Sequence, residues 1–183
     1  MSENSLQNPN HGRKVYISTY GCQMNDHDTE RMYSLLEANH YLQALSPEEA
    51  DVIIINSCSV REKPVHKVRS EVGKYRDLKA AKPTLKIGVG GCVGQQEGKN
   101  LFSKNKLIDF VFGTDTIDSL PQILTQVQEG EKNAWTRMGH RDPYSIQTMI
   151  RNTPISAFVT ITKGCDNFCS FCIVPFTRGR ERS

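Results

Sequence analysis

Apolar residues in this chain fall into short runs that alternate with stretches of helical periodicity. Four runs predict buried β-strands because they are short and rich in β-branched residues; they span 14–19, 51–55, 85–89 and 108–112. Apolar positions three or four residues apart predict helices between and after them, at about 26–39, 65–75, 95–102 and 118–128. This alternation indicates an α/β domain built on a parallel sheet.

The same pattern divides the chain into segments. Residues 1–13 are rich in Ser, Asn and Gln and are expected to form a disordered tail. The α/β domain is predicted to span 14–130. Residues 131–153 mix Gly, Pro, Asn and charge without a period, which predicts a linker. A further strand at 157–162 is predicted to open a second unit, spanning 154–183.

Composition narrows the class of protein. The chain has 183 residues, of which 37% are hydrophobic and 23% charged, and its net charge is only +3. That charge does not by itself indicate a nucleic-acid partner. No apolar run is long enough to cross a bilayer and the polar start resembles no secretion signal, so a cytoplasmic protein without a membrane partner is expected. Six cysteines in such a protein indicate metal or redox chemistry rather than disulfides.

Three of these cysteines are clustered near the end of the chain. Cys165, Cys169 and Cys172 have the spacing Cys-x3-Cys-x2-Cys, with no fourth cysteine or histidine beside them. A closed structural zinc site normally has four ligands. Three thiolates are better suited to an iron–sulfur cluster in which one iron is left open for a ligand.

The other three cysteines are far apart in sequence. Cys22, Cys58 and Cys92 each follow a predicted strand by two or three residues and precede a predicted helix. Such loops lie on one edge of a parallel sheet, so the three thiols are predicted to converge. Two alternatives remain: isolated buried cysteines, or a zinc site completed by His27 or His66, although both histidines are expected at the surface.

Small residues beside these cysteines are consistent with convergence. Gly21, Ser57 and the pair Gly90-Gly91 directly precede them. They would allow the backbone to approach an inorganic core closely.

Four motifs together resemble the methylthiotransferase family, which uses radical S-adenosylmethionine (SAM) chemistry. Three of them, 21–25, 56–63 and 89–93, are similar to the N-terminal domain of that family. The fourth, 164–181, is similar to the entry of its radical-SAM domain. Within the family, Gln23-Met24 and Arg61-Glu62-Lys63 resemble the branch that modifies tRNA. The fold implied is a parallel-sheet N-terminal domain followed by the truncated start of a radical-SAM (β/α) barrel.

The resemblance also implies a set of cofactors. The terminal cysteines would hold a [4Fe–4S] cluster whose open iron binds SAM, with Phe171 near the SAM adenine. Cys22, Cys58 and Cys92 would hold a second [4Fe–4S] cluster, on which the sulfur is methylated before transfer.

The activity implied is addition of a methylthio group to C2 of N6-isopentenyladenosine at position 37 of tRNA, next to the anticodon. A 5′-deoxyadenosyl radical from SAM would abstract the hydrogen at C2. The implied partners are tRNA and an electron donor such as a flavodoxin or ferredoxin, and the protein is expected to be a monomer.

Two groups of basic residues are candidates for RNA contact. Arg178 and Arg180, near Arg182, are candidate substrate-binding residues, because the resemblance implies that this segment lines the substrate site. The other group has a solvated helix face as its alternative; it comprises Arg61, Lys63, Lys67, Arg69, Lys74, Arg76, Lys79 and Lys82.

The chain stops soon after the terminal cysteines. A radical-SAM barrel needs on the order of 200 residues, judged against about 250 for a complete (β/α)8 barrel. The chain is therefore expected to be an N-terminal fragment that does not complete catalysis alone. The alternatives are a methylthiotransferase acting on a ribosomal protein or another tRNA base, and a non-catalytic iron–sulfur or zinc-binding fragment.

Overall fold

The computed structural model describes residues 12–59, 64–139 and 160–183. Its centre is a sheet of six parallel strands in the order β2-β1-β3-β4-β5-β6. The α/β class predicted from the sequence is confirmed. The strands are β1 (Lys14–Tyr20), β2 (Leu42–Gln43), β3 (Val52–Ser57), β4 (Lys86–Gly90), β5 (Phe110–Phe112) and β6 (Ala134–Trp135).

Helices connect these strands across both faces of the sheet. They are α1 (Gln23–Ala38), α2 (Pro64–Lys74), α3 (Arg76–Ala81), α4 (Gly91–Glu97), α5 (Asn100–Lys104), α6 (Leu120–Gln128) and α7 (Val174–Thr177). None of the helices in the described ranges combines the length and apolar character needed to cross a bilayer.

Strand β3 is the centre of the fold. All six of its residues are buried and paired with β1, and five also pair with β4. Its side chains alternate between two cores because successive residues of a strand point to opposite faces. Val52 and Ile54 belong to the core with α1 and α6, whereas Ile53 and Ile55 belong to the core with α2 and α4.

Two glycines allow β4 to lie against β5. A Cβ on Gly88 would come within 2.2 Å of the Phe110 ring, and one on Gly90 within 2.3 Å of the Phe112 ring. The aromatic rings fill the volume that side chains on β4 would need. The end of β4, and with it the loop carrying Cys92, is positioned by this packing.

The observed elements differ from the predicted ones in detail. The helix predicted at 95–102 is two short helices, α4 and α5, because Gly98 adopts φ +48° and ends the first. The two-residue strands β2 and β6 are not predicted, since two residues show no period. Strand β6 lies inside the segment predicted as a linker, 131–153. The predicted domain boundaries stay predictions.

Two other predicted segments are described only in part. Of the tail predicted at 1–13, only Gly12 and Arg13 are described, and both hydrogen-bond to the backbone after α1. Of the strand predicted at 157–162, only 160–162 are described, and they are not in a strand. Lys163 instead forms an isolated antiparallel bridge with Arg182.

Candidate metal centre

The three scattered cysteines lie at the carboxyl ends of three adjacent strands. Cys22 precedes α1 after β1, Cys58 directly follows β3, and Cys92 lies in the first turn of α4 after β4. Along the chain, β1 is followed by β2 on one side of it in the sheet, whereas β3 is followed by β4 in the other direction. The connections that leave β1 and β3 therefore diverge. A crevice forms at such a point, and α/β proteins normally bind ligands there.

Close approaches join the three cysteine loops directly. A Cβ on Gly21 would lie 2.5 Å from Cβ of Cys58. A Cβ on Gly91 would lie 2.8 Å from the carbonyl oxygen of Ser57, and φ +77° at Gly91 is a conformation that glycine tolerates best. The structure therefore brings together the loops that carry Cys22, Cys58 and Cys92.

A buried pair of asparagines holds these loops in place. Asn25 Nδ2 donates to Asn56 Oδ1 at 3.0 Å, and Asn56 Nδ2 donates to the Asn25 carbonyl oxygen at 2.8 Å. The Cys22 thiol donates to Asn25 Oδ1 at 3.4 Å. A Cβ on Gly91 would lie only 2.4 Å from Asn56 Oδ1, so the third loop contacts the same pair. Sequence reasoning missed this network, although both asparagines lie within three residues of a cysteine.

The thiols themselves differ in exposure. Cys22 is exposed, Cys58 and Cys92 are buried, and all six cysteines are free. Within the described ranges, no three His, Cys, Asp or Glu side chains are grouped closely enough to hold a metal ion. Cluster ligation by these residues therefore stays a prediction. The donor set fits an iron–sulfur cluster, since the three contacting loops contribute three thiols, the ligands that such clusters take, and glycines that permit close approach.

The two histidines considered for zinc have different environments. His66 is exposed, as expected. His27 is buried in α1, which corrects the expectation that it lies at the surface. Its Nδ1 atom has no hydrogen-bond partner within the part of the chain that the structure describes.

The terminal cysteines lie on a compact loop between Gly164 and Cys172. The Cys165 amide donates to the Gly179 carbonyl at 3.1 Å, and the Cys172 amide donates to the Cys169 carbonyl at 2.9 Å. Cys169 is exposed, whereas Cys165 and Cys172 are half-buried. Phe171, predicted to lie near the SAM adenine, is 92% exposed. Its side chain is therefore open to a ligand.

Buried ion pairs hold the segment 160–183 against the cysteine edge of the sheet. Asp115, in the loop after β5, contacts Lys163 at 2.6 Å and Arg182 at 2.7 Å, and the Lys163 and Asp115 side chains are only 4% and 5% exposed. Lys163 Nζ also donates to the Thr114 carbonyl oxygen at 2.9 Å. Burial alone would raise the pKa of Asp115, but the two cations outweigh it and lower that pKa.

The candidate substrate arginines lie in contrasting places. Arg178 is buried, with Nη2 2.7 Å from Oδ2 of Asp28 on α1. Arg180 is exposed, lies over the ring of Phe168, and has Nη1 3.4 Å from Asp166 Oδ1. Their predicted contact with substrate stays a prediction.

Most of the described basic residues in the second candidate group have partners within the protein. Lys74 pairs with Glu71 at 2.8 Å, Lys82 pairs with Asp51 at 2.7 Å, and Lys79 pairs with Asp109. Lys67 lies over the ring of Tyr20. Arg69 and Arg76 are exposed, while Arg61 and Lys63 lie outside the described residues. This distribution favours the alternative of a solvated helix face.

Comparison with known proteins agrees with the resemblance found in the sequence. The model of the uncharacterized protein family UPF0004 matches residues 14–113. Three similar proteins are all named tRNA-2-methylthio-N(6)-dimethylallyladenosine synthase. They come from Bdellovibrio bacteriovorus (62% identity over 94% of this chain), Syntrophus aciditrophicus (46% over 93%) and Ruegeria pomeroyi (43% over 93%).

These relatives are much longer than the chain. It spans 38% of the first two and 39% of the third. The family match covers all of β1 to β5 and the three loops that carry Cys22, Cys58 and Cys92. The chain therefore belongs to the UPF0004 family, which forms the N-terminal domain of the methylthiotransferases.

Proposed function

We propose that this chain is part of a radical-SAM methylthiotransferase that adds a methylthio group to C2 of N6-isopentenyladenosine at position 37 of tRNA. The observation that carries the proposal is the meeting of three cysteine loops at one edge of the sheet, against which the segment carrying Cys-x3-Cys-x2-Cys is held. A relative with 62% identity carries a name for this reaction.

Two sets of thiolates have separate roles in this proposal. Cys165, Cys169 and Cys172 hold one [4Fe–4S] cluster, and Cys22, Cys58 and Cys92 hold the other; they are the metal ligands. When bound, these clusters and SAM supply the one-electron chemistry that an unreactive C–H bond requires, together with the sulfur and methyl group to be transferred.

Other residues of the chain bind, orient and exclude water. The exposed ring of Phe171 is proposed to pack against the SAM adenine. Segment 160–183 is held at the sheet edge through Lys163 and Asp115, and its helix α7 packs on α4, which carries the buried Cys92, so it is proposed to exclude water on that side of the site. Arg180 is exposed beside the terminal cysteines, because the Cys165 amide donates to the carbonyl of the preceding Gly179. It is therefore better placed than the buried Arg178 to contact an RNA phosphate.

The partners follow from the same proposal. The substrate is tRNA, the electron donor is a flavodoxin or ferredoxin, and the protein acts as a monomer in the cytoplasm, where tRNA is modified. The barrel that would complete the SAM site is not among the described elements, so activity is proposed for the longer protein that contains this chain.

The cofactor content can be tested by quantifying iron and sulfide in anaerobically purified protein. About eight irons per chain are expected, four for each cluster. Replacing Cys22, Cys58 and Cys92 with alanine should leave about four, and so should replacing the three terminal cysteines. Stoichiometric zinc without sulfide would contradict the proposal.

The substrate can be tested in cells. Nucleosides from the tRNA of a strain lacking the complete gene should lose the 2-methylthio group and retain the isopentenyl group. Restoration by the complete wild-type gene, and failure by the same gene carrying Cys92→Ala, would attribute the loss to this site. Unchanged tRNA nucleosides would contradict the proposed substrate.

A further inference from the structure

A buried guanidinium joins segment 160–183, which carries the terminal cysteines, to α1, the helix that follows Cys22. Arg178 directly follows α7 and is 5% exposed, and Asp28 on α1 is 2% exposed. The two side chains form an ion pair with Nη2 2.7 Å from Oδ2. An arginine is rarely buried to this extent unless anionic groups compensate for its lost hydration.

Asp28 does not use all the donors of this guanidinium. Nη1 of Arg178 makes no hydrogen bond within the part of the chain that the structure describes. Cys92, itself 3% exposed, lies in the first turn of α4, on which α7 packs. Burial alone would lower the pKa of Arg178, but Asp28 and the Cys92 thiol outweigh it and raise that pKa. A planar cation with unused N–H groups is thus buried beside one of the proposed cluster ligands.

Arg178 is also close in sequence to the terminal cysteines. Helix α7 begins two residues after Cys172 and packs on α4, the helix that carries Cys92. Arg178 is therefore joined through the chain to the terminal cysteine loop and through its side chain to Asp28 on α1, beside the helix that carries Cys92. Movement of one cysteine group relative to the other would strain this contact.

We propose that Arg178 is a positioning residue that serves both cysteine groups. Its ion pair with Asp28 holds the end of α7 in place over α4, which leaves its remaining N–H groups available to the sulfur held at Cys92. The second part rests on the proposed function, since it concerns the cluster bound there. Hydrogen bonds to cluster sulfurs stabilise the more negative, reduced state, so Arg178 is expected to raise the reduction potential of that cluster.

The first part can be tested without any cofactor. In the metal-free 183-residue chain, alkylation of Cys92 by N-ethylmaleimide, followed by mass spectrometry, reports on whether α7 stays seated. Arg178→Gln and Asp28→Asn are each expected to accelerate labelling about tenfold or more, because removing one partner of a buried pair leaves the other uncompensated. Lys14→Gln, at the opposite end of β1, is the control and should label Cys92 as slowly as the wild type. A wild-type rate in Arg178→Gln would overturn the proposal.

The second part requires the cluster on Cys22, Cys58 and Cys92 alone. In a background with the three terminal cysteines replaced by alanine, the reconstituted chain is titrated potentiometrically and followed by electron paramagnetic resonance. Arg178→Lys keeps the charge but loses the forked N–H donors, so a more negative midpoint potential is expected. Arg76→Lys, the same substitution at an exposed position of α3, is the matched control and should leave the midpoint unchanged.

The outcomes separate the two proposals. An unchanged midpoint in Arg178→Lys, or an equal shift in Arg76→Lys, would refute the positioning role while leaving the cluster in place. If the wild-type chain binds no iron at these cysteines, the proposed function fails, and the labelling of the metal-free chain still decides whether Arg178 holds α7 on α4.

Discussion

The side-chain amides of Asn25 and Asn56 are hydrogen-bonded to each other, with Nδ2 of Asn25 3.0 Å from Oδ1 of Asn56. Both residues are fully buried. Asn56 lies near the end of β3 and Asn25 in the first turn of α1, so the pair joins the Cys58 loop to the Cys22 loop. Since Gly91 contacts the same amides, one polar pair positions all three cysteine loops.

Replacing Asn56 with alanine should therefore weaken both the fold and the site. The change leaves a buried donor on Asn25 without its acceptor, which is expected to lower the free energy of unfolding by about 1–3 kcal/mol. Urea denaturation followed by circular dichroism measures this loss. Asn100→Ala, at an exposed position at the start of α5, is the control and should change stability by less than about 0.5 kcal/mol. Equal effects of the two changes would contradict the role given to the pair.

Gly91→Ala should disturb the packing of the cysteine loops through a steric clash. The added Cβ would come within 2.4 Å of Asn56 Oδ1, and φ +77° would be strained for alanine by about 1–2 kcal/mol. A lower thermal midpoint and lower iron content after reconstitution are expected. Gly73→Ala, in α2 with nothing within 4 Å of the added Cβ, should instead stabilise the chain by about 0.5–1 kcal/mol. Tolerance of alanine at 91 would argue against the close approach of the loops.

The Asp115 ion pairs predict how stability depends on pH. The pKa of this carboxyl lies below its usual value in the folded chain. Its stabilising contribution is therefore present above about pH 4, the pKa in the unfolded chain, and is lost as the pH falls through the folded pKa. Asp115→Asn should destabilise the chain by about 3–5 kcal/mol at pH 7, because Lys163 and Arg182 lose their counter-charge.

Thermal unfolding between about pH 7 and pH 2 measures both the pH dependence of stability and the effect of Asp115→Asn. The difference in stability between wild type and Asp115→Asn should shrink as the pH falls through the acid range. The pKa values of Asp51 and Glu71 are also lowered, but both residues are present in the two proteins and cancel in the difference. A difference in stability that does not change with pH would show that the charge of Asp115 is not what stabilises segment 160–183.

Arg180 provides a test of RNA contact. If its exposed guanidinium binds a phosphate, Arg180→Gln in the complete protein should weaken binding of an anticodon stem-loop RNA. The slope of log affinity against log salt concentration should also fall by about 1. Lys14→Gln removes one charge at the opposite end of the sheet and should leave both quantities unchanged. Fluorescence anisotropy at several salt concentrations measures them, and a wild-type slope in Arg180→Gln would refute the contact.

The sequence predicted those parts of the fold that depend on local pattern. The run Val52–Ile55 indicated a strand buried on both faces, and β3 is such a strand. The convergence of the cysteine loops followed from a general property of parallel sheets, because every strand-to-helix loop leaves from the same edge. Neither inference needed knowledge of which side chains meet.

What could not be predicted are contacts between distant polar residues. Helix α1 buries Asn25, His27, Asp28 and Arg31, which a rule based on hydrophobic periodicity assigns to solvent. Asp28 is buried because Arg178 reaches it from the end of the chain. The pairing of Lys163 with Asp115 is equally invisible in sequence, since each residue alone is an ordinary charged side chain.

The position of β2 at the outer edge of the sheet has a consequence for variation in chain length. The connection from β2 to β3 passes the amino-terminal end of β1, where the Ala44 and Asp51 amides donate to β1 carbonyls, and this is the end opposite Cys22 and Cys58. Edge connections accept insertions and deletions with little cost to the rest of a fold. Homologous chains can therefore differ in length here while β1 and β3 remain neighbours, and the spacing of their two sulfur atoms is independent of how long that connection becomes.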